Sequence, residues 1–215
     1  MRKDLIRSSI AVVVFTVLLG LAYPLVMTGV SQVVFPGNAD GSLIRQSGKV
    51  VGSHLLARDF SRPVLGADGR PQMDADGNPV TEPDPKYFQA RPSATGYSGS
   101  TTYFANRGPN QASTRDLTRE HLEAYLQLER PFSPGLKASQ VPVDAATFSA
   151  SGVDPDISEA NAAIQARRIA SVRKLPLARV RELIKEHTDG RALGIFGEPG
   201  VNVTDLNLAL DQEAR

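Results

Sequence analysis

His54, His121 and His187 are the residues best suited to acid–base or metal chemistry near neutral pH. They lie far apart, and none belongs to a two-histidine helical pair of the kind that ligates zinc. His121 and His187 fall at the edges of amphipathic stretches, where a structural role is the plainer reading. Asp154, Asp156 and Glu159 gather at a helix start, where acids suit the positive end of the dipole. Catalytic carboxylates are the sharper alternative. Asp74-Ala-Asp-Gly-Asn78 has the look of a calcium loop, but Pro79 stands where the sixth-position glycine is required. Pro85 stands where the twelfth-position acid is required. Arg167, Arg168, Arg173 and Lys174 form a basic run that reads as a solvated face, and Asn202-Val-Thr204 matches a glycosylation acceptor. The chain has no phosphate loop, no dinucleotide fingerprint and no Gly-x-Ser-x-Gly elbow. It also has no cysteine, which excludes thiol chemistry, Cys-based metal sites and disulfides. With 24 basic and 23 acidic residues it carries no electrostatic footprint for nucleic acid.

The element that must position whatever the chain does is its beginning. Ser8 to Ala39 carry no charged side chain, and Ile10 to Leu19 and Gly20 to Met27 are almost wholly apolar. A helix needs about 20 apolar residues to cross a hydrocarbon core, and in lipid such a segment must be helical. A cleaved signal would be shorter and would end in a small-residue cleavage site, which does not follow here. Arg2, Lys3 and Arg7 precede the span with only Asp4 against them, which places the N-terminus in the cytoplasm. Thr16, Gly20, Pro24, Thr28 and Ser31 recur at spacings of four, four, four and three. Lipid gives no reason for such a stripe of small and polar residues, whereas close helix–helix contact does.

Beyond the span, Ser42-Leu-Ile-Arg45 and Lys49 to Leu56 flank Ser47-Gly48 and read as a hairpin. Val64 to Pro85 contains an eight-residue echo, Ala67-Asp-Gly-Arg-Pro71 and Ala75-Asp-Gly-Asn-Pro79, and reads as a surface loop or hairpin. Tyr87 to Ala94 and the polar run after it predict an ordered loop. Ser113, with Asp116 three residues on, opens a helix that Pro131 ends. Val141-Pro-Val predicts an extended piece. Ser158 caps a second helix, with Ala162, Ala166, Ile169 and Val172 aligned, and Pro176 starts a third, with Leu177, Val180, Leu183, Ile184 and His187 on its face. Arg191 to Phe196 and Val201 to Val203 read as strands, and Leu206, Leu208 and Leu210 as a final apolar alternation. The class is an α+β soluble domain anchored by one N-terminal transmembrane helix. The expected division is a cytoplasmic N-terminus (1–7), a transmembrane helix and interface (8–34) and an extracytoplasmic α+β domain (35–215) with a loop insert at 64–85.

Several short stretches in order then carry a resemblance: Leu21-Ala-Tyr-Pro24, Gly41-Ser-Leu-Ile44, Tyr87-Phe-Gln-Ala-Arg-Pro-Ser-Ala94, Val141-Pro-Val-Asp144, Ser149-Ala-Ser-Gly-Val-Asp154, Gly197-Glu-Pro-Gly-Val-Asn-Val203 and Leu206-Asn-Leu-Ala-Leu-Asp211. The chain closely resembles, over nearly its whole length, the KdpC family, the C subunits of bacterial Kdp potassium-transporting ATPases. It departs from the family in the long 64–85 insert and at Ser98-Gly-Ser-Thr-Thr-Tyr103, where the family commonly has Ser-Gly-Gly-Ser-Asn-Leu.

The resemblance implies an accessory, non-catalytic subunit of a high-affinity, ATP-driven potassium uptake complex, single-pass in the bacterial inner membrane. Its implied partners are a channel-like potassium-binding subunit, a P-type ATPase subunit and a small single-span subunit. It implies no cofactor or metal of its own, with ATP and potassium bound by the complex. The family is described as a catalytic chaperone that raises the ATP affinity of the ATPase subunit, which implies nucleotide binding. Ile157 to Ala160 and Gln165 also belong to the matching residues, and Gln165 is the candidate contact. The charge rule puts the domain on the side where ATP is scarce. The residues agree with the division of labour, since one span cannot form a pore and neither a Thr-Val-Gly-Tyr-Gly filter nor an Asp-Lys-Thr-Gly motif is present. A membrane-tethered periplasmic enzyme and a tethered binding module are the rival classes. The first lacks a convergent catalytic set, and the second leaves the polar stripe without a purpose.

Overall fold

In the computed structural model, which describes residues 2–101, 106–108 and 110–213, the chain is mixed helix and strand. It separates into two compact units, Met1–Ser53 and His54–Arg215.

The first unit opens with a continuous helix, Arg2–Val34, long and apolar enough to cross a membrane and buried nowhere. It consists of α1 (Arg2–Val17), a π turn (Leu18–Ala22) and α2 (Tyr23–Val34). Pro24 explains the π turn. It has no N–H, and its ring clashes with the carbonyl four residues back, at Gly20. The helix loosens there, so that the N–H of Tyr23 donates to Leu18 O, five residues back. This bears on the stripe from Thr16 to Ser31. Each i+4 step in an ordinary helix over-rotates by about 40°, and a turn holding more residues removes part of that drift. A short helix, α3 (Pro36–Ala39), then reverses the chain. The expected hairpin follows as β1 (Leu43–Gln46) and β2 (Lys49–Ser53), antiparallel, with Ser47 and Gly48 both at positive φ in the turn.

The second unit starts with β3 (Ser61–Pro63) pairing antiparallel with β4 (Thr81–Pro83). Between them the insert is a surface hairpin whose backbone repeats at an offset of eight. Gly66 N–H donates to Arg70 O and Gly69 N–H to Gly66 O, as Asp74 N–H does to Asn78 O and Gly77 N–H to Asp74 O. The sequence echo is therefore two copies of one turn. Residues 84–101 then form a strap without regular structure. After it come α4 (Ala112–Glu129), β5 (Asp156–Ile157), α5 (Glu159–Arg173), α6 (Leu177–Glu186), β6 (Thr188–Asp189), β7 (Gly200–Asn202) and α7 (Val203–Glu213). The three short strands make one antiparallel sheet in the order β5-β7-β6. Ala162, Ala166 and Ile169 of α5, Val180, Leu183 and Ile184 of α6, Val201 of β7, and Val203, Leu206 and Leu210 of α7 close the core around Phe88 of the strap.

Several local expectations need correction. Helix α4 begins at Ala112 with Gln111 at its N-cap position, so Ser113 lies inside the first turn and does not cap it; its hydroxyl accepts from Arg107 Nη1. The piece from Val141 is a 3-10 turn, Val143–Ala145, rather than extended, with Pro142 leading in at φ −62°. Arg191–Phe196 is a loop closed by an Ala192–Phe196 bridge, because Leu193 and Gly194 both take positive φ, and the strand lies just before it at Thr188–Asp189. The final leucines lie on a helix. Val203, Leu206 and Leu210 follow the i, i+3, i+7 pattern, and Asn202 Oδ1 accepts from the N–H of Asp205 at the helix start. Leu208 is buried as well, and burial on several sides of a helix mimics alternation. The second helix begins as expected, with Ser158 Oγ accepting from the N–H of Asn161. Thr102, Tyr103 and Pro109, in and after the loop that departs from the family pattern, lie outside the described residues.

Candidate functional site

Asn161, Gln165 and Arg168 stand at i, i+4 and i+7 on α5, on the same side as Ala162, Ala166 and Ile169. That spacing drives three polar side chains into the core, where each requires partners. Arg168 is fully enclosed. Its Nε donates to Glu129 Oε1 at 2.8 Å, its Nη1 to the carbonyls of Pro85 at 2.7 Å and Tyr87 at 2.8 Å, and its Nη2 to Gln165 Oε1 at 2.8 Å. Both members of the Arg168–Glu129 pair have side chains 0% exposed. The basic run is thus not a solvated face throughout. Arg173 also packs inward, 4.8 Å from the centre of the Tyr87 ring, and its Nη2 donates to Asp211.

Gln165 and Asn207 read the backbone of the strap as a neighbouring strand would. Gln165 Oε1 accepts from Gln89 N–H and Gln165 Nε2 donates to Gln89 O. Asn207 Oδ1 accepts from Phe88 N–H and Asn207 Nδ2 donates to Phe88 O. Two adjacent strap residues are therefore each held by a paired amide, and the Phe88 ring is fixed in the core. Gln165 Nε2 and Tyr125 Oη both donate to Asn161 Oδ1. Asn161 Nδ2 in turn donates to Asp144, which also accepts from the N–H and hydroxyl of Ser158.

The electrostatics follow from burial. Desolvation raises Glu129 above the ordinary glutamate value, and the Arg168 charge opposes it. Burial is also the first cause of the upward shifts of Tyr125 and of Tyr97, the latter pushed up to about 12. Among the described residues Glu129 Oε2 is buried without a hydrogen-bond partner. Beside the network lies a cleft of about 160 Å³ lined by Gln89, Tyr97, His121, Tyr125, Asn161 and Gln165. The donors of Asn161, Gln165 and Arg168 are aimed at the protein's own carbonyls and carboxylates, which is an arrangement for holding a segment in place.

The structure keeps the three histidines apart. His54 Nδ1 is 2.7 Å from Asp205, His121 Nδ1 3.2 Å from the Ala146 carbonyl and His187 Nδ1 2.8 Å from the Leu183 carbonyl. Asp154 pairs with Arg91 at 3.4 Å. Asp156 is raised first by burial and then by Asp154, Asp189 and Asp205. Among the described residues no group of His, Asp or Glu is arranged to hold a metal ion. Asp74 Oδ1 accepts from the N–H groups of Asp76 and Asn78, closing the turn that superficially matched a calcium loop. Thr16, Gly20, Pro24, Thr28 and Ser31 all lie on the apolar helix, in the other unit from Gln165. Sequence reasoning missed Glu129 and Asn207 and placed Arg168 on a solvated face, whereas it is fully enclosed. A signal existed for Arg168, because its spacing from Ala162, Ala166 and Ile169 puts it on the buried side.

Residues 5–212 match the family model KdpC, described as K+-transporting ATPase, c chain. The potassium-transporting ATPase KdpC subunit of Caldanaerobacter subterraneus is 38% identical over 100% of this chain and 98% of its own length. That of Dechloromonas aromatica is 39% identical over 99% and 100%, and that of Polaromonas naphthalenivorans 41% over 97% and 95%.

Proposed function

This chain belongs to the KdpC family of K+-transporting ATPase c chains, and from that premise we propose that it is the non-catalytic assembly subunit of a potassium-uptake complex. The observation that carries the reading is the helix Arg2–Val34, which has no buried residue, joined to a unit whose central polar groups hold its own strap. The proposed division is residues 1–7 in the cytoplasm, 8–34 in the membrane and 35–215 outside, in the periplasm. The basic start before the span supports that orientation. The proposed partners are a channel-like potassium-binding subunit, a P-type ATPase subunit and a small single-span subunit. Thr16, Gly20, Pro24, Thr28 and Ser31 form the docking face in the bilayer, and the folded domain sits over the outer mouth of the potassium-binding subunit. Leu193, at 90% exposed, and Phe196, at 62%, stand out from the β6–β7 loop. Contact with another subunit would cover them.

The finer family reading is that the subunit raises the ATP affinity of the ATPase subunit. We place that effect in the docked span, not in a nucleotide site on the domain. Gln165 is the weakest part of a direct-contact reading, because both ends of its amide already bond the strap and its neighbours.

The test is Gly20→Leu against Leu19→Ile in the assembled complex. A Cβ at Gly20 would meet no side chain of the helix beyond its immediate neighbours, among the described residues, nearer than Thr16 Cγ2 at 4.0 Å, so the helix has room for a side chain there and loss of assembly points to a partner. Gly20→Leu should lower both the yield of co-purifying subunits and potassium-stimulated ATP hydrolysis, while Leu19→Ile should change neither. Normal assembly and hydrolysis in Gly20→Leu would overturn the docking face.

A further inference from the structure

Helices α5 and α6 bring Arg167 and Arg181 to one cleft of about 370 Å³, closed by the turn after α4 and lined also by Ser133, Gly135, Gln140 and Ile164. This volume falls within the range of small-ligand sites. Among the described residues no aspartate or glutamate lines the cleft. Neither Arg167 nor Arg181 makes a side-chain ion pair or hydrogen bond among the described residues. Other arginines of the same two helices all do. Arg168 pairs with Glu129, Arg173 with Asp211, and Arg179 with Glu182, Glu186 and Glu213. The carboxylates near α6 are thus engaged by Arg179. A third cation stands beside the turn, since Arg130 Nε donates to Leu136 O. Gln140 uses its Oε1 to accept from Lys137 N–H, and its NH2 makes no hydrogen bond among the described residues.

The chemistry of this lining is one-sided, with donors and positive charge and no acid to neutralise them. A guanidinium fork fits carboxylate or phosphate oxygens in pairs. One fork satisfies a planar carboxylate. Two forks on separate helices, with an amide NH2 between elements, suit an anion whose oxygens point in several directions. We propose that this cleft binds a phosphate-type oxyanion, either free phosphate or the phosphodiester of an anionic lipid headgroup. Both arginines are exposed, so binding is weak and falls with ionic strength. The proposal goes beyond the assembly role and does not depend on it, because the isolated full-length chain suffices to test it.

The experiment is calorimetric titration of the full-length chain in a non-ionic detergent, at fixed ionic strength with chloride as background. Inorganic phosphate is one arm. Dihexanoyl phosphatidylglycerol below its micellar concentration is the other, with dihexanoyl phosphatidylcholine as control. Saturable binding of phosphate assigns the free ion, and binding of the glycerol lipid alone assigns the headgroup. In either case Arg167→Gln and Arg181→Gln should each weaken binding about tenfold. Gln140→Glu should weaken it too, while keeping the acceptor for Lys137 N–H, and it serves if an arginine variant fails to fold by circular dichroism. Binding of neither probe beyond its control, or equal binding by parent and variants, overturns the proposal. Capture of a poly-glutamate peptide with no response to either phosphate probe overturns it as well, and marks the cleft as a contact for an acidic protein segment.

Discussion

Replacing Arg168 by methionine should come close to unfolding the second unit. The side chain makes four hydrogen bonds between 2.7 and 2.8 Å, to Glu129, Pro85, Tyr87 and Gln165. Methionine fills much of the volume and supplies none of them. Glu129 is left wholly enclosed without its counter-charge, a situation that costs about 3–5 kcal/mol. The carbonyls of Pro85 and Tyr87 lose a charged donor as well, at about 1–3 kcal/mol for each one that water does not reach. Total stabilities of single domains are about 5–15 kcal/mol, so the variant should retain a small fraction of the parent's margin. Arg168→Lys should fall between, because a point charge cannot serve all four acceptors. The informative partner is Glu129→Leu/Arg168→Met. With both charges gone no buried ion is left unpaired, and the double variant should regain at least about 2 kcal/mol over Arg168→Met. The assay is urea unfolding of the full-length chain in detergent, followed by near-ultraviolet circular dichroism. The chain has five tyrosines and no tryptophan, and Tyr125 donates within the same network. A midpoint for Arg168→Met within about 1 kcal/mol of the parent would refute the reasoning, as would a double variant no better than the single.

Three further outcomes are expected. Burial raises Glu129 above its ordinary value of 4.5, so the native state holds that proton more tightly than the unfolded chain. The stability difference between parent and Glu129→Gln should therefore decline as pH rises from near 4.5 through the native value, and be flat above it; a difference that grows with pH would contradict this. Replacing Leu65–Pro79 by Asn-Gly should leave β3 paired with β4, retain the Arg62–Glu82 ion pair and move the unfolding midpoint by less than about 1 kcal/mol, because the excised hairpin is exposed apart from the half-buried Gly66 and buries no side chain. Loss of the folded state on melting would make the insert part of the core. Finally, a reporter active only in the cytoplasm, fused after Arg215, should be silent, and strong activity would reverse the proposed orientation and reopen direct ATP contact.

Elements built from near neighbours were legible in the sequence. The apolar helix, the β1–β2 hairpin, the Ser158 cap, the inward faces of α5 and α6 and the repeated turn of the insert each follow from spacing over a few residues. Composition excludes thiol and nucleic-acid chemistry, and the ordered run of short matches points to the family without the fold. The strap was legible only as a polar loop. Its place in the core depends on Asn207 and Gln165, more than seventy residues away in the chain, and no local pattern announces a pairing made between side-chain amides and backbone. Arg168 read as surface because an isolated arginine is costly to bury. What makes its burial tolerable is Glu129 at the end of a different helix and two carbonyls of the strap, partners that only the tertiary structure brings within 2.8 Å. The same holds for α7. Its leucines alternate in sequence, and strand and helix are close alternatives for so short an apolar run. Packing on several sides, together with the Asn202 cap, decides for the helix.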